Sequence, residues 1–326
     1  FAAAWGALSF MRHRASTYLP YAERPPVLAR VKAELARCVE LDERSDFATY
    51  TAYWMIDPFG AYLAQEEAVQ RELTRWPNSG ESRSVAAFFL ETVGRNREAV
   101  EMAHAARELD PKSPFAQFET GLSLWRAGRF VEGRATLEEV LQVSPDNHHV
   151  AALLILACAH QEDWAAVDAL RAPARLQRSP LREFASILRI VDVMRRPTPE
   201  NRSDYVAKLR AHVEASGHVD AESLLFPAHL GLVDETYALL TEATLGPSGS
   251  PTDVLGVVAY RTQMLFAAAY PELRADPRFA KLCARLGLVE YWLATQKWPD
   301  CADVVPYDFR AECEKHRDHP KDAFFR

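Results

Sequence analysis

Along most of the chain, apolar residues recur three and four positions apart between polar ones, the period of a helix with one buried face. Runs of β-branched residues and the Asn-Gly or Asp-Gly turns that announce hairpins do not occur. The pattern predicts helices over residues 1–12 and 24–42, separated by an insertion holding Tyr18, Pro20 and Tyr21. Further stretches follow at 181–194, 199–215, 221–230 and 233–244, before a Gly/Pro/Ser loop at 246–251. An all-α chain is the expectation.

Punctuation between the helices is periodic. Gly60, Gly94 and Gly128 lie 34 residues apart, as do Pro77, Pro111 and Pro145. Ala99 with Gly133, Ala106 with Val140 and Phe130 with Trp164 keep the same spacing, and the clearest units are residues 85–111 and 118–145. A helix, a tight turn and a second antiparallel helix are too small to bury an apolar face alone, so neighbouring units must stack. Small residues such as Ala87, Ala99, Gly121 and Gly133 let paired helices approach, glycine permits the positive φ of a helix end, and proline marks the passage to the next unit.

These units resemble tetratricopeptide repeats, with Ala99 or Gly133 early in the second helix and Pro111 or Pro145 after it. The resemblance covers roughly residues 46–180; Arg83 and Gln117 stand where an aromatic usually opens the first helix. It implies a right-handed α-solenoid of antiparallel helix pairs, a superhelix ending in an irregular helical C-terminal part. The phrase ELRADPRFAKLCARLGL from Glu272, with the following WPDCADVVPYDFRAEC, is similar to the C-terminal end of bacterial multidomain regulators. There, such an array follows a winged-helix DNA-binding domain, a class III adenylate or guanylate cyclase domain, or a domain related to the periplasmic translocation β-propeller protein. The resemblance thus implies a repeat array over residues 1–180, then degenerate helical repeats and a C-terminal cap over 181–326. It also implies a non-catalytic protein- or peptide-binding sensor module that controls an attached effector in bacterial signalling or transcription. The alternative is a passive scaffold for self-association into a homo-oligomer.

In such arrays the first helices line a groove, and positions i, i+4 and i+7 on their free face are the candidate ligand contacts. These are Tyr50, Trp54 and Asp57, then Ser84, Phe88 and Glu91, then Phe118, Leu122 and Trp125. Tyr50, Trp54, Phe88, Phe118 and Trp125 make this face aromatic, suited to an apolar peptide or helix. The lysines and asparagines of a carboxylate clamp are not there. The competing expectation is that the rings pack against neighbouring repeats or against C-terminal helices that fold back.

Charge narrows the partners. With 38 Lys and Arg against 45 Asp and Glu among 326 residues, the net charge of −7 disfavours direct nucleic-acid or anionic-lipid binding. The longest apolar run, residues 150–159, is about half of the roughly 20 residues a membrane helix needs. Five scattered cysteines, with Cys38 and Cys158 on apolar helical faces, point to a reducing, cytoplasmic setting. The opening FAAAWGAL reads as the middle of a helix, as in a piece of a longer chain.

Candidate chemistry is thin. Cys301, Cys313, His316 and His319 lack the close pair of a zinc knuckle, and a solvated, frayed terminal helix is expected there. His148 and His149 are adjacent and read as exposed turn residues, with His160 one helix away. No nucleophile elbow, phosphate loop or dinucleotide fingerprint occurs, and neighbouring Glu138 and Glu139 splay apart on their helix. Neither an enzyme nor a cofactor or metal is expected.

Overall fold

The computed structural model describes residues 1–16, 19, 23–57, 59–172, 182–216, 218–219, 221–242, 244–245 and 262–321. The chain is an α-solenoid of consecutive antiparallel helix pairs. The first five are α1 (Ala2–Ser16) with α2 (Arg24–Leu41), α3 (Asp46–Trp54) with α4 (Tyr62–Arg75), α5 (Gly80–Thr92) with α6 (Asn96–Leu109), α7 (Pro114–Arg126) with α8 (Phe130–Val143), and α9 (His148–His160) with α10 (Trp164–Arg171).

Local chemistry sets the period. Ser79, Ser113, Asn147 and Asp163 each accept the N–H three residues on, namely Ser82, Ala116, Val150 and Ala166, which caps α5, α7, α9 and α10. Gly60, Gly94 and Gly128 turn first helix into second at φ of 74°, 82° and 86°. The next position in the series is Glu162, which takes φ 56° without being glycine. Gly133 is small for contact: a Cβ there would stand 2.8 Å from the Gly121 carbonyl oxygen and from the Trp125 nitrogen.

Beyond α10 the stacking continues less regularly. α11 (Arg182–Arg195) packs on α9, α12 (Pro199–Ser216) on α11, and α13 (Ala221–His229) pairs with α14 (Val233–Glu242) around Gly231. A two-residue parallel bridge joins His218–Val219 to Thr244–Leu245. The predicted insertion residues Tyr18, Pro20 and Tyr21, and the loop at 246–251, lie outside the described residues.

Residues 262–321 return to the array. They form a 3₁₀ turn at Gln263–Phe266, α15 (Arg278–Arg285), α16 (Leu288–Thr295), a second 3₁₀ turn at Asp300–Asp303 and α17 (Phe309–Lys315). The expected frayed terminal helix is corrected here: Phe309 and Cys313, one turn apart on α17, are 1% and 0% exposed and pack into a core with Phe279, Cys283 and Trp292. All five cysteines are free thiols and buried.

Candidate functional site

In a helix pair that stacks on its neighbours, one face of the first helix stays available. On α5 that face is covered: Ser84, Phe88, Glu91 and Thr92 are all under 9% exposed. Residues 262–270 do much of the covering, crossing three successive pairs at equivalent positions. The Thr262 hydroxyl donates to the Thr92 carbonyl, Ala268 N–H to the Arg126 carbonyl at 2.8 Å, and the Tyr270 hydroxyl meets His160 Nε2 at 2.8 Å. Thr92, Arg126 and His160 are 34 residues apart, so the tail meets the same position of three successive repeats. The side chain of Gln263 donates to the Phe88 carbonyl at 3.1 Å and to the Glu91 carboxylate at 3.2 Å. The Thr92 and Arg126 carbonyls, each at the last residue of its helix, are among those that a helix C-terminus leaves without partners.

Beneath Gln263 lies a buried charge cluster. Arg126, 1% exposed, pairs with Glu91, 0% exposed, and the Ser123 hydroxyl donates to the same carboxylate at 2.5 Å. Burial pushes the Glu91 carboxyl up, opposed by the Arg126 charge and by its hydrogen bonds from Ser123 and Arg126. Glu119 is pushed up to about 8, by burial first and by Glu91 second, against the charges of Arg126 and Arg14. Two carboxyl groups therefore share one buried guanidinium.

The turns hold the rest of the tail. A Cβ at Gly94 would come within 2.6 Å of Pro299 Cβ and 2.7 Å of the Phe266 ring; one at Gly128 would meet Ala268 Cβ at 3.1 Å. Gly60 abuts Gly287, whose own Cβ would lie 2.7 Å from the Gly60 Cα. Trp292 Nε1–H donates to the Val93 carbonyl at 3.1 Å, and Lys297 reaches Glu66 on α4 at 2.7 Å.

Asp300 caps α6 from 203 residues away: its carboxylate accepts the Arg97 N–H at 2.8 Å, and its own N–H donates to the Gly94 carbonyl at 2.9 Å. The local N-cap, Arg95, supplies no side-chain bond. Asp300→Ala is expected to lose about 1 kcal/mol in urea denaturation while Asp300→Asn, which keeps an acceptor, stays near the parent. Equal losses in the two would remove the cap role.

The five aromatic candidates divide. Phe88 and Trp125 are 6% and 3% exposed; Phe88 meets Trp54 edge-on at 5.1 Å, and Trp125 packs on Tyr270, His160 and Phe130. Trp54 and Phe118 are half-buried, Phe118 against the core cluster that includes Leu122 and Leu154. Tyr50 lies on α3, its side chain outside the described residues. Thus Trp125 reaches a ligand only when the tail leaves. Arg126 and Glu119 were missed and His160, named beside His148 and His149, was not assigned to the groove, although the 34-residue spacing of Thr92, Arg126 and His160 was available. His160 sits in a ring cluster with His229 and Tyr270, and burial followed by the His229 charge holds it down at about 3. His148 opens α9 and is half-buried, so the expected exposed turn residue is corrected.

Among the described residues no group of His, Cys, Asp and Glu is placed to hold a metal ion, and no helix is long and apolar enough to cross a membrane. The family model for the tetratricopeptide repeat matches residues 90–148 and 118–172. No curated protein matches the chain. Residues 90–172 therefore match tetratricopeptide repeats, a fold that generally mediates contacts between proteins.

Proposed function

We propose that the chain is a non-catalytic protein- or peptide-binding module, dividing near residue 180 into a binding array and a regulatory C-terminal part. The observation that carries this is the seating of residues 262–270 across three repeats through helix-end carbonyls and side chains. A face that holds one peptide segment this way has the donors, acceptors and apolar surface to hold another. The similarity of the tail to bacterial multidomain regulators supports a setting in cytoplasmic signalling or transcription, where the module would control an attached winged-helix or cyclase effector. Occupancy of the groove would act by favouring one docking arrangement of the C-terminal part over another, and only through a difference in affinity between the two.

The half-buried rings Trp54 and Phe118 provide the test. A protein captured from bacterial lysate by the parent chain is expected to be lost, by at least tenfold, in a Trp54→Ala, Phe118→Ala double variant that keeps its helical circular dichroism. Undiminished capture by that variant would remove the groove from the function. Capture of only the chain itself would favour the self-association scaffold.

A further inference from the structure

The tail fills the groove without satisfying it. Trp125 Nε1 and Arg126 Nε, on side chains 3% and 1% exposed, donate to no protein atom, and Asn96 Oδ1 and Gln263 Oε1 accept from none. All four belong to the contact between residues 262–270 and the inner helices: Asn96 Nδ2 donates to the Phe266 carbonyl at 2.8 Å, and Gln263 lies over Glu91. A buried polar atom left without a partner costs on the order of 1–3 kcal/mol. The tail's own apolar residues Met264, Leu265 and Phe266 are 2%, 0% and 4% exposed, so its hold is apolar and its polar fit is incomplete.

Charge is also incomplete. Glu91 and Glu119 share one buried cation, Arg126, with the half-buried Arg14 of α1 a weaker positive charge on Glu119, and the tail residue set over Glu91, Gln263, is neutral. A lysine or arginine in that place would bring a second buried cation beside Arg126 to the Glu91 carboxylate and its neighbour Glu119. A buried cluster regains water when its cover lifts, which lowers the cost of opening relative to an all-apolar lid.

We propose that residues 262–270 are an intramolecular stand-in for a peptide ligand that competes with them for the groove, and that this ligand carries a basic side chain where the tail carries Gln263. The ligand enters as one 3₁₀ turn with three apolar residues, followed by small residues that pass the turn at Gly128 and a tyrosine that meets His160. The proposal rests on the groove being a peptide-binding face, but its test needs no cellular partner.

The probes are three labelled nonapeptides: the tail sequence Thr-Gln-Met-Leu-Phe-Ala-Ala-Ala-Tyr and its versions with Lys or Glu at the second position. The receptor is the full chain, as the parent and with Ala268→Pro. That substitution deletes the N–H bonded to Arg126, and Ala267, at φ −61° and ψ 130°, already has the conformation a following proline requires. Adding Thr262→Ala and Gln263→Ala gives a second, looser receptor. Hydrogen exchange over residues 263–270 reports tail release.

Loosened receptors are expected to lose protection in the tail and to bind peptide at least tenfold more tightly than the parent, because apparent affinity scales with the open fraction. The Lys peptide should bind tightest and the Glu peptide weakest. A tail that stays protected in the looser receptor would overturn the competition, as would a released tail with no gain in peptide binding. Equal affinity for the Lys and Glu peptides would overturn the basic-ligand assignment. Failure of the lysate capture alongside success here would leave the groove's specificity standing and remove only its proposed cellular role.

Discussion

Gly94→Ala is expected to destabilise the chain by about 2–5 kcal/mol and to release the tail, while Gly231→Ala costs only about 1–2 kcal/mol. Both glycines sit at positive φ, 82° and 83°, so the left-handed penalty is common to the two. They differ in what a methyl group meets. At Gly231 nothing lies within 4 Å, whereas at Gly94 the new carbon would press on Pro299 and Phe266, two tail residues held by neighbouring hydrogen bonds. Relief requires the tail to move off the turn, so hydrogen exchange should show lost protection at residues 263–300 in the Gly94 variant alone. Equal urea midpoints for the two variants would mean that tail docking contributes nothing at this turn.

The fold was legible where its causes are local. A turn that needs positive φ selects glycine, a passage between units selects proline, and close helix pairs select Ala99 and Gly133, so the period shows at 60, 94 and 128. The same logic breaks at Glu162, where a non-glycine residue takes the left-handed region and the glycine series ends. Tail docking was not legible because its bonds to the first five helix pairs join residues 110 to 231 positions apart and repeat no motif within the tail. The helix at Phe309–Lys315 illustrates the difficulty. Amid Arg, Glu, Lys and His it reads as a solvated end, yet Phe309 and Cys313 fall on one face and are buried.

The groove was legible as a face but not in its chemistry. The i, i+4, i+7 spacing marked Glu91 as a groove position, but its aromatic members drew attention to Phe88 and Trp125, which the fold buries, and away from Glu119 and Arg126, which complete the charge of the face. A carboxylate on a first helix usually faces water. Here the return of residues 262–270 removes that water, and only the three-dimensional neighbourhood shows that Arg126 is its compensation.

Arg126→Met is expected to destabilise the chain by about 3–5 kcal/mol, because it leaves Glu91 buried without its cation. The pH dependence gives this prediction its sign. Glu119 holds its proton up to about 8 in the folded chain, against an ordinary value near 4.5. The folded state therefore binds that proton more tightly than the unfolded chain, and its contribution is fully present below about 4.5. Each pH unit from there to about 8 removes about 1.4 kcal/mol, after which this group adds no further slope. Glu91, displaced the same way, adds to the trend, while Arg126 on α7 and Arg14 on α1 oppose it. Urea midpoints of the parent should fall between pH 5.5 and 8.5. In Glu119→Gln the fall should flatten, with stability at pH 8.5 above that of the parent; in Arg126→Met it should steepen, since the nearest cation opposing protonation is gone. A parent midpoint that rises with pH would show that the cluster stabilises the fold in its ionised form, and would remove the argument that charge makes the tail releasable.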